Sequence, residues 1–400
     1  MAEGGGALSL LCLAASSGVP LFCRSRGGPA RQQLPFSLIG SLNGVHMFGA
    51  NLAVGLRGAS AEGARVAWRG YHDSVTLIAL SSEPGASEAA LGRLLDAVFS
   101  AMVLVLGLEE LVPVRNVERL KRDLRGCFGL IDRLLGPGEH PGVLAGCLES
   151  AVPPPGPPRD ALQERLERFA GAAGTGLGCL LGGGGRVLLA TPPWWALPPP
   201  DGALLAWLLG GAPSPGARDL PLYLPHGSPT VPHRLLVLEL VPGVVVALLC
   251  GPSPSLQHVR TQLLPQFWAP AVEQLRGCAR PPPAPLPPGV LAYLLIDLKQ
   301  RRSRSGVTPG GAQGGLLPPR RRGAALRRFY ALVAPHYFPE AGGGPDPPGG
   351  GARLCYVAGS SHAACALLRP PLLLLLLLPP GPRQGLRRVA RAALAALAPP

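Results

Sequence analysis

Thiols are the most reactive groups this chain offers, and their spacing limits what they could do. Nine cysteines stand at Cys12, Cys23, Cys127, Cys147, Cys179, Cys250, Cys278, Cys355 and Cys365. The number is odd and no C-x-x-C pair occurs, so neither a zinc ribbon nor a thioredoxin-type redox site is encoded locally. Most sit in apolar runs such as Leu10-Leu11-Cys12-Leu13 and Leu248-Leu249-Cys250, the setting of free buried thiols in a reducing cytosol. Among the histidines only His226 and His233 come close together, with no acidic or Cys partner near them. The segment Tyr223–Arg234 therefore reads as a rigid, packed surface loop whose prolines preset the backbone, and not as a metal site.

Phosphate and acyl chemistry fare no better. A P-loop needs Gly-Lys before Ser or Thr, but the two lysines, Lys121 and Lys299, each follow a leucine. The Gly171–Gly178 run lacks dinucleotide spacing and precedes a strand, so its glycines are turn residues. Gly40-Ser41-Leu42-Asn43-Gly44 puts the serine in the wrong slot for a nucleophile elbow, and no H-E-x-x-H occurs. With few carboxylates and none paired in a cleft-like motif, the sequence predicts an interaction protein with no catalytic residue, no cofactor and no metal.

The composition says where such a protein meets its partners. Charged residues are 15% of 400 and apolar residues 47%, with 55 Gly and 49 Pro and a net charge of +14. An ordinary soluble chain is about 25% charged. Residues 1–150 hold 13 basic and 13 acidic side chains, 151–280 hold nine and seven, and 281–400 hold fifteen and three. The excess is thus local, a patch facing anionic lipid or an acidic partner. Aromatics are 5% and no base-stacking motif occurs, which argues against nucleic acid. The N-terminus has Glu3 and no basic residue before Ala7–Ala15, unlike a signal peptide, and no apolar run reaches the roughly 18 residues of a spanning helix. A cytosolic location is expected.

Periodicity supplies the elements that position these surfaces. Two proline-rich linkers, 153–158 and 281–288, divide the chain into domains 1–152, 159–280 and 289–400. In the first, Leu8–Ala14 and Val19–Arg24 form a hairpin around Ser16-Ser17-Gly18. Phe36–Phe48 is a helix with Ile39, Leu42, Val45 and Met47 or Phe48 on one face. Arg65–Trp68 and Ser74–Leu80 are strands, with one further strand possible in 49–63. Ser87 caps a helix to about Leu106 and Asn116 caps another over about 18 residues. The second repeats this: helix Asp160–Ala170, a hairpin around Gly182–Gly185, a helix from Asp201 to Leu209, strands Leu220–Leu224, Arg234–Leu240 and Val244–Cys250, then a helical pattern Ser255–Leu275 broken by Pro265 and Pro270. Trp194-Trp195 is either core or an exposed contact, with core preferred. In the third, Val290–Leu298, Arg353–Ala358, Ala363–Leu368 and the seven leucines Leu372–Leu378 read as strands. Gly306–Pro319 reads as a flexible linker, and Arg322–Val333 and Gln384–Leu397 as helices. The class is α/β (α+β), three tandem modules with mostly antiparallel sheets.

Several blocks together carry a resemblance: Leu10–Arg24, Arg31–Phe48 (RQQLPFSLIGSLNGVHMF), His72–Glu83 (HDSVTLIALSSE), Val114–Arg125 (VRNVERLKRDLR), Tyr223–Leu236 (YLPHGSPTVPHRLL), Leu248–Pro254, Arg328–Val333 and Tyr337–Pro339. They resemble the Fuzzy family of planar cell polarity effectors, well over residues 8–280 and loosely beyond. Gln300–Pro319, Ala341–Gly351 and the leucine run depart from the family pattern. The resemblance implies three longin-like domains, each a five-stranded sheet sandwiched by helices. It also implies membership of the ciliogenesis and planar polarity effector (CPLANE) complex, with Inturned and the WD-repeat planar cell polarity effector as partners. The pair with Inturned would act as a guanine-nucleotide exchange factor for a Rab-type GTPase. It would recruit CPLANE-associated small GTPases and intraflagellar transport proteins to the basal body, placing the chain in the cytoplasm and at the ciliary cytoskeleton. Cilium assembly, hedgehog signalling and neural tube closure would depend on it. Nucleotide exchange needs a shaped surface and no acid or base, because the factor only favours the nucleotide-free GTPase.

Two surfaces are candidate sites. Leu38, Leu42, Val45 and Phe48 would form a partner interface on the first long helix, beside a hairpin edge, the surface longin pairs use. Arg320, Arg321, Arg322, Arg327, Arg328, Arg387, Arg388 and Arg391 would form a patch for anionic membrane lipid or a partner, each basic residue near such a surface adding about 1 kcal/mol. The alternative for the arginines is the solvated outer face of ordinary longin helices, and the alternative for the whole protein is a phosphoinositide-binding trafficking adaptor without exchange activity.

Overall fold

A computed structural model describes residues 7–27, 34–52, 54–83, 86–136, 147–151, 157–210, 216–279, 286–308, 317–338, 353–380 and 385–397. One strand plan occurs three times. The first copy is β1 (Leu8–Ala14), β2 (Pro20–Arg26), β3 (Gly58–Ala61), β4 (Ala64–Tyr71) and β5 (Val75–Ser81). After a short β6 (Leu148–Glu149), the second is β7 (Leu177–Gly182), β8 (Arg186–Ala190), β9 (Arg218–Leu224), β10 (Ser228–Val241) and β11 (Val244–Cys250). The third is β12 (Ala292–Asp297), β13 (Arg302–Val307), β14 (Leu354–Ala358), β15 (Ala363–Arg369) and β16 (Leu372–Leu378). Counted within each copy, all three sheets run in the order 2-1-5-4-3. The helices used below are α1 (Phe36–Asn51), α2 (Glu88–Leu106), α3 (Val117–Asp123), α4 (Phe128–Leu135), α5 (Pro157–Ala172), α6 (Pro199–Gly210), α7 (Val272–Ala279), α8 (Pro319–Tyr337) and α9 (Leu386–Leu397).

Each sheet is covered on both faces, which explains why its central strands are unbroken apolar runs. In β1, Leu8, Leu10, Cys12 and Ala14 enter the core under α2, α3 and α4, while Leu11 and Leu13 enter the core under α1. In β16, Leu373, Leu375 and Leu377 meet Leu326, Phe329, Tyr330 and Val333 of α8. Its Leu374, Leu376 and Leu378 meet Ala390, Ala393, Leu394 and Leu397 of α9. α8 and α9 therefore lie on opposite faces of the third sheet, because successive strand residues point to opposite sides. In the second copy Leu162, Leu166 and Phe169 of α5 pack on Val244, Val246 and Leu248 of β11. The caps form as the sequence predicts: Ser87 Oγ accepts from Ala90 N and Asn116 Oδ1 from Arg119 N. α2 is long and apolar enough to cross a bilayer by length and composition. Here its Leu95, Val98 and Met102 are fully buried in the first core.

By its contacts the chain divides into two compact units, Met1–Gly138 with Leu222–Pro232, and Glu139–Pro221 with His233–Pro400. This revises three expectations. Residues 147–151 leave the first domain. Leu148–Glu149 adds β6 in parallel to β13, making the third sheet six-stranded, and Ser150 bridges Val187 of β8. Proline runs mark where regular structure stops, and say nothing of which sheet a short strand joins. Second, Pro157 and Pro158 open α5 instead of ending a linker. Proline lacks a donor that the first helical turn does not use. Third, Tyr223–Arg234 is a β-hairpin, not a loop, with β10 running 14 residues. Its Pro229 and Pro232 lie where β10 extends past its pairing with β11, which starts at Arg234, so they remove no bond from that ladder. Within the first unit Tyr223 seats on Gly107, which has φ +82°. A Cβ there would stand 2.8 Å from the Tyr223 ring.

Smaller differences have local causes. Arg302–Val307 is a strand that its polar sequence hides, and it pairs with β12 from Ala292↔Val307 to Asp297↔Arg302. The linker expected from Gly306 thus starts later, and 309–316 lies outside the described residues, as do 152–156, 280–285 and 341–351. The helix expected after Asn116 is interrupted by a tighter turn at Leu124–Cys127. Trp194 is buried, and Trp195 is half-buried beneath the Arg302 guanidinium, 3.6 Å from its ring.

Candidate partner interface

α1 is poorly specified as a free-standing helix. Its Pro35 N-cap makes no side-chain cap bond, its first turn has no acid and its last turn no base. Gly40, Gly44 and Gly49 each cost about 0.8–1 kcal/mol relative to alanine in a helix interior. What holds it is one narrow stripe. Ile39 and Leu42 insert between Leu11, Leu13, Trp68 and Ile78, with Leu38 partly buried beside them. Trp68 Nε1 donates to the Leu42 carbonyl at 3.3 Å.

The rest of the helix turns apolar groups outward. Phe36 is 84% exposed and Phe48 67%, and Val45, Met47, Leu52 and Val54 are exposed with them. Phe36, Gly40, Gly44 and Phe48 recur at four-residue spacing and so share a face. At Gly40 and Gly44 an added Cβ would find nothing within 4 Å. The face is an apolar strip with aromatic ends and a bare-backbone middle, which permits close approach by another surface. Of the four predicted interface residues, Val45 and Phe48 lie on open surface and Leu38 on its margin. Leu42, 8% exposed, is core: the helix meets the sheet at its 39/42 stripe, and one residue cannot face both ways. Phe36 and Met47 belong to the strip and were not among the four expected interface residues.

β2 is an edge strand of the first sheet. Its Arg24 pairs with Asp132 and lies over Phe128, 4.8 Å from the ring, and Arg26 donates to the Leu135 carbonyl at 2.9 Å. Charged, pinned side chains of this kind guard an edge against random strand pairing.

The predicted basic patch does not hold together. Arg321, Arg327 and Arg328 belong to α8 and Arg387, Arg388 and Arg391 to α9, on opposite faces of the third sheet. Arg322 is only 2% exposed. It donates to the Thr308 carbonyl at 2.7 Å and the Leu317 carbonyl at 3.3 Å, tying the start of α8 to the segment after β13. The side chain of Arg320 lies outside the described residues. The exposed arginines of α9 remain as one surface.

β6 adds a polar joint that sequence reasoning missed. Glu149 is buried, accepts from Ser305 Oγ at 2.6 Å and has Arg186 Nε 3.3 Å from the same oxygen. Ser150 N donates to Ser303 O and Ala151 N to Val187 O, both at 2.8 Å. No sequence signal marks it, since a two-residue strand has no period. Burial holds four of the thiols protonated: Cys127 is pushed up to about 12, Cys147 to about 11, and Cys12 and Cys179 are raised well above their ordinary value. Among the described residues no three His, Cys, Asp or Glu side chains gather as a metal site.

Comparison with known proteins agrees with this architecture. Residues 9–134 match the family described as the first longin domain of FUZ, MON1 and HPS1, and residues 177–269 match the second longin domain of the same proteins. The human protein fuzzy homolog is 52% identical, over 76% of this chain and 74% of its own length. The Mus musculus homolog is 51% identical, over 74% and 73%, and that of Xenopus tropicalis 48% identical, over 74% and 70%.

Proposed function

The chain belongs to the Fuzzy family of longin-domain proteins, and from that premise we propose that it is a non-catalytic planar cell polarity effector that works by pairing with a second longin protein, Inturned. The observation that carries this is the outward strip of α1. Exposed Phe36 and Phe48 flank Gly40 and Gly44 on a helix that buries only two of its own residues. Large exposed apolar groups on a soluble domain mark an interaction surface, and aromatic residues dominate interface energetics. In this proposal the pair, joined by the WD-repeat planar cell polarity effector in the CPLANE complex, acts as exchange factor for a Rab-type GTPase. It serves cilium assembly and hedgehog signalling from the basal body. The chain contributes shape and apolar area, and the GTPase supplies its own chemistry.

The test is co-purification with Inturned, followed by nucleotide release from a panel of Rab-type GTPases. Phe36→Gln with Phe48→Gln is expected to weaken pairing by about tenfold or more while the chain stays folded. Unchanged pairing in that variant removes α1 as the interface. Pairing without accelerated nucleotide release leaves a scaffold and removes the exchange activity. Of the arginines expected to serve the membrane alternative, Arg387, Arg388 and Arg391 stay together on α9, while α8 lies on the other face of the third sheet.

A further inference from the structure

We propose that the third module carries a second, separate docking site: a cleft that takes an extended acidic peptide as an added strand on β14. The cleft, about 500 Å³, lies between the flank of α9 and the outer end of the third sheet. Arg353, Arg369, Arg387 and Arg391 line it, with Leu354 and Leu394 among its apolar walls. All four arginines are exposed, and none forms an ion pair among the described residues. Four guanidinium groups around one concavity repel one another, and bidentate carboxylates relieve that. Among its described residues the module does not supply them. Asp297 is the one acidic residue among the described part of 286–397, and its carboxylate accepts from Lys299 N and Gln300 N in its own turn.

The cleft also adjoins an open edge. β14 ends the order β14-β15-β16-β12-β13-β6, and among the described residues no strand lies outside it. Leu368 N donates to Arg353 O, and Gly359 N to His362 O, so the odd-numbered residues of β14 bond inward. Alternation then turns the backbone groups of Leu354 and Ala358 outward. Unlike β2, this edge carries no charge: its sequence is Leu-Cys-Tyr-Val-Ala, with Tyr356 and Val357 exposed. A peptide strand laid there sends every second side chain to the α9 side of the sheet, where Leu354 packs and Arg387 and Arg391 of α9 stand. An acidic residue at alternate positions satisfies both features. A bilayer surface could meet the arginines but has no use for directional backbone donors beside a concave wall, so a peptide is the better occupant.

Fluorescence anisotropy with the full-length chain tests this, using a short fluorescein-labelled peptide of alternating Glu and Val. The Gln–Val peptide, and the Arg387→Gln/Arg391→Gln chain with the Glu–Val peptide, should each bind about tenfold more weakly. N-methylation of alternate peptide residues should abolish binding without touching the protein. Equal binding of the Gln–Val peptide overturns the proposal, as does full binding of the N-methylated one. No peptide binding, together with flotation on phosphatidylserine vesicles that Arg387→Gln/Arg391→Gln abolishes, assigns the cleft to a membrane and overturns it too. None of these outcomes involves α1, so they are independent of the pairing with Inturned.

Discussion

Three substitutions on α1 should move its stability in different directions, because the helix has one anchored stripe and one open one. Leu42→Ala removes a side chain packed among Leu11, Leu13, Trp68 and Ile78. Truncations of this type cost about 2–5 kcal/mol. At about 2 kcal/mol, the population of chains with α1 opened rises about thirtyfold. Gly44→Ala acts oppositely. Its Cβ meets nothing within 4 Å, so the helical preference of alanine, about 0.8–1 kcal/mol, is gained without collision and opening falls about fourfold to fivefold. Phe48→Gln changes an exposed group for a good helix former, and should stay within about 0.5 kcal/mol, or about twofold. Hydrogen exchange read by mass spectrometry on peptides from 36–52 and 64–71 resolves all three in the full chain. If Phe48→Gln accelerates exchange as much as Leu42→Ala, or Gly44→Ala accelerates it at all, the outer face of α1 is not open in the free protein and the interface argument fails.

Other expectations concern the remaining modules and the thiols. Arg322→Ala should destabilise the third module by about 2 kcal/mol, since two carbonyls lose a charged donor, whereas Arg388→Ala should shift a urea midpoint negligibly. Gly107→Ala should lower the melting temperature, because φ +82° strains an L-residue and the new Cβ strikes Tyr223; adding Tyr223→Ala should restore only part of the loss. Burial raises the folded-state values of the Cys12, Cys127 and Cys147 thiols above those of the unfolded chain. Their stabilising effect is therefore complete below about pH 8.5 and is lost as pH climbs toward 11 and 12, by up to about 1.4 kcal/mol per thiol per pH unit. Urea denaturation at successive pH values checks the slope, and Cys127→Ala should flatten it.

The strands of this protein are legible where they are buried on both sides. Leu8–Ala14 and Leu372–Leu378 occupy the same residues in structure as in the sequence pattern, since a covered strand must be apolar throughout. Arg302–Val307 was illegible for the converse reason: its side chains are half-exposed except Ser303 and the exposed Val307, so it carries no apolar period. The helix Phe36–Asn51 was legible, but its orientation was not. Ile39, Leu42, Val45 and Phe48 look alike as apolar residues at helical spacing, and only the sheet beneath decides that the first two are core. The arginines show the same limit. Arg322 is indistinguishable by composition from Arg321, yet one is buried in the first turn of α8 and the other is exposed. Which face of the sheet each helix takes is a long-range fact, set by crossover connections and not by local spacing.

The leucine strand has a consequence of its own. A homopolymer cannot tell its neighbours where it begins. Slide Leu372–Leu378 by a residue and leucine still faces α8, leucine still faces α9, and the side chains no longer penalise the shift that a one-residue slip normally brings. Alignment has to be imposed from the ends. Leu298 N binds the Pro371 carbonyl just before the strand, Leu291 N binds Leu377 O near its finish, and Arg369↔Leu372 closes the hairpin with β15. Lengthening or shortening the tract should therefore shift strain into those two junctions and spare the cores, so the tract's length is free to drift while its termini are not.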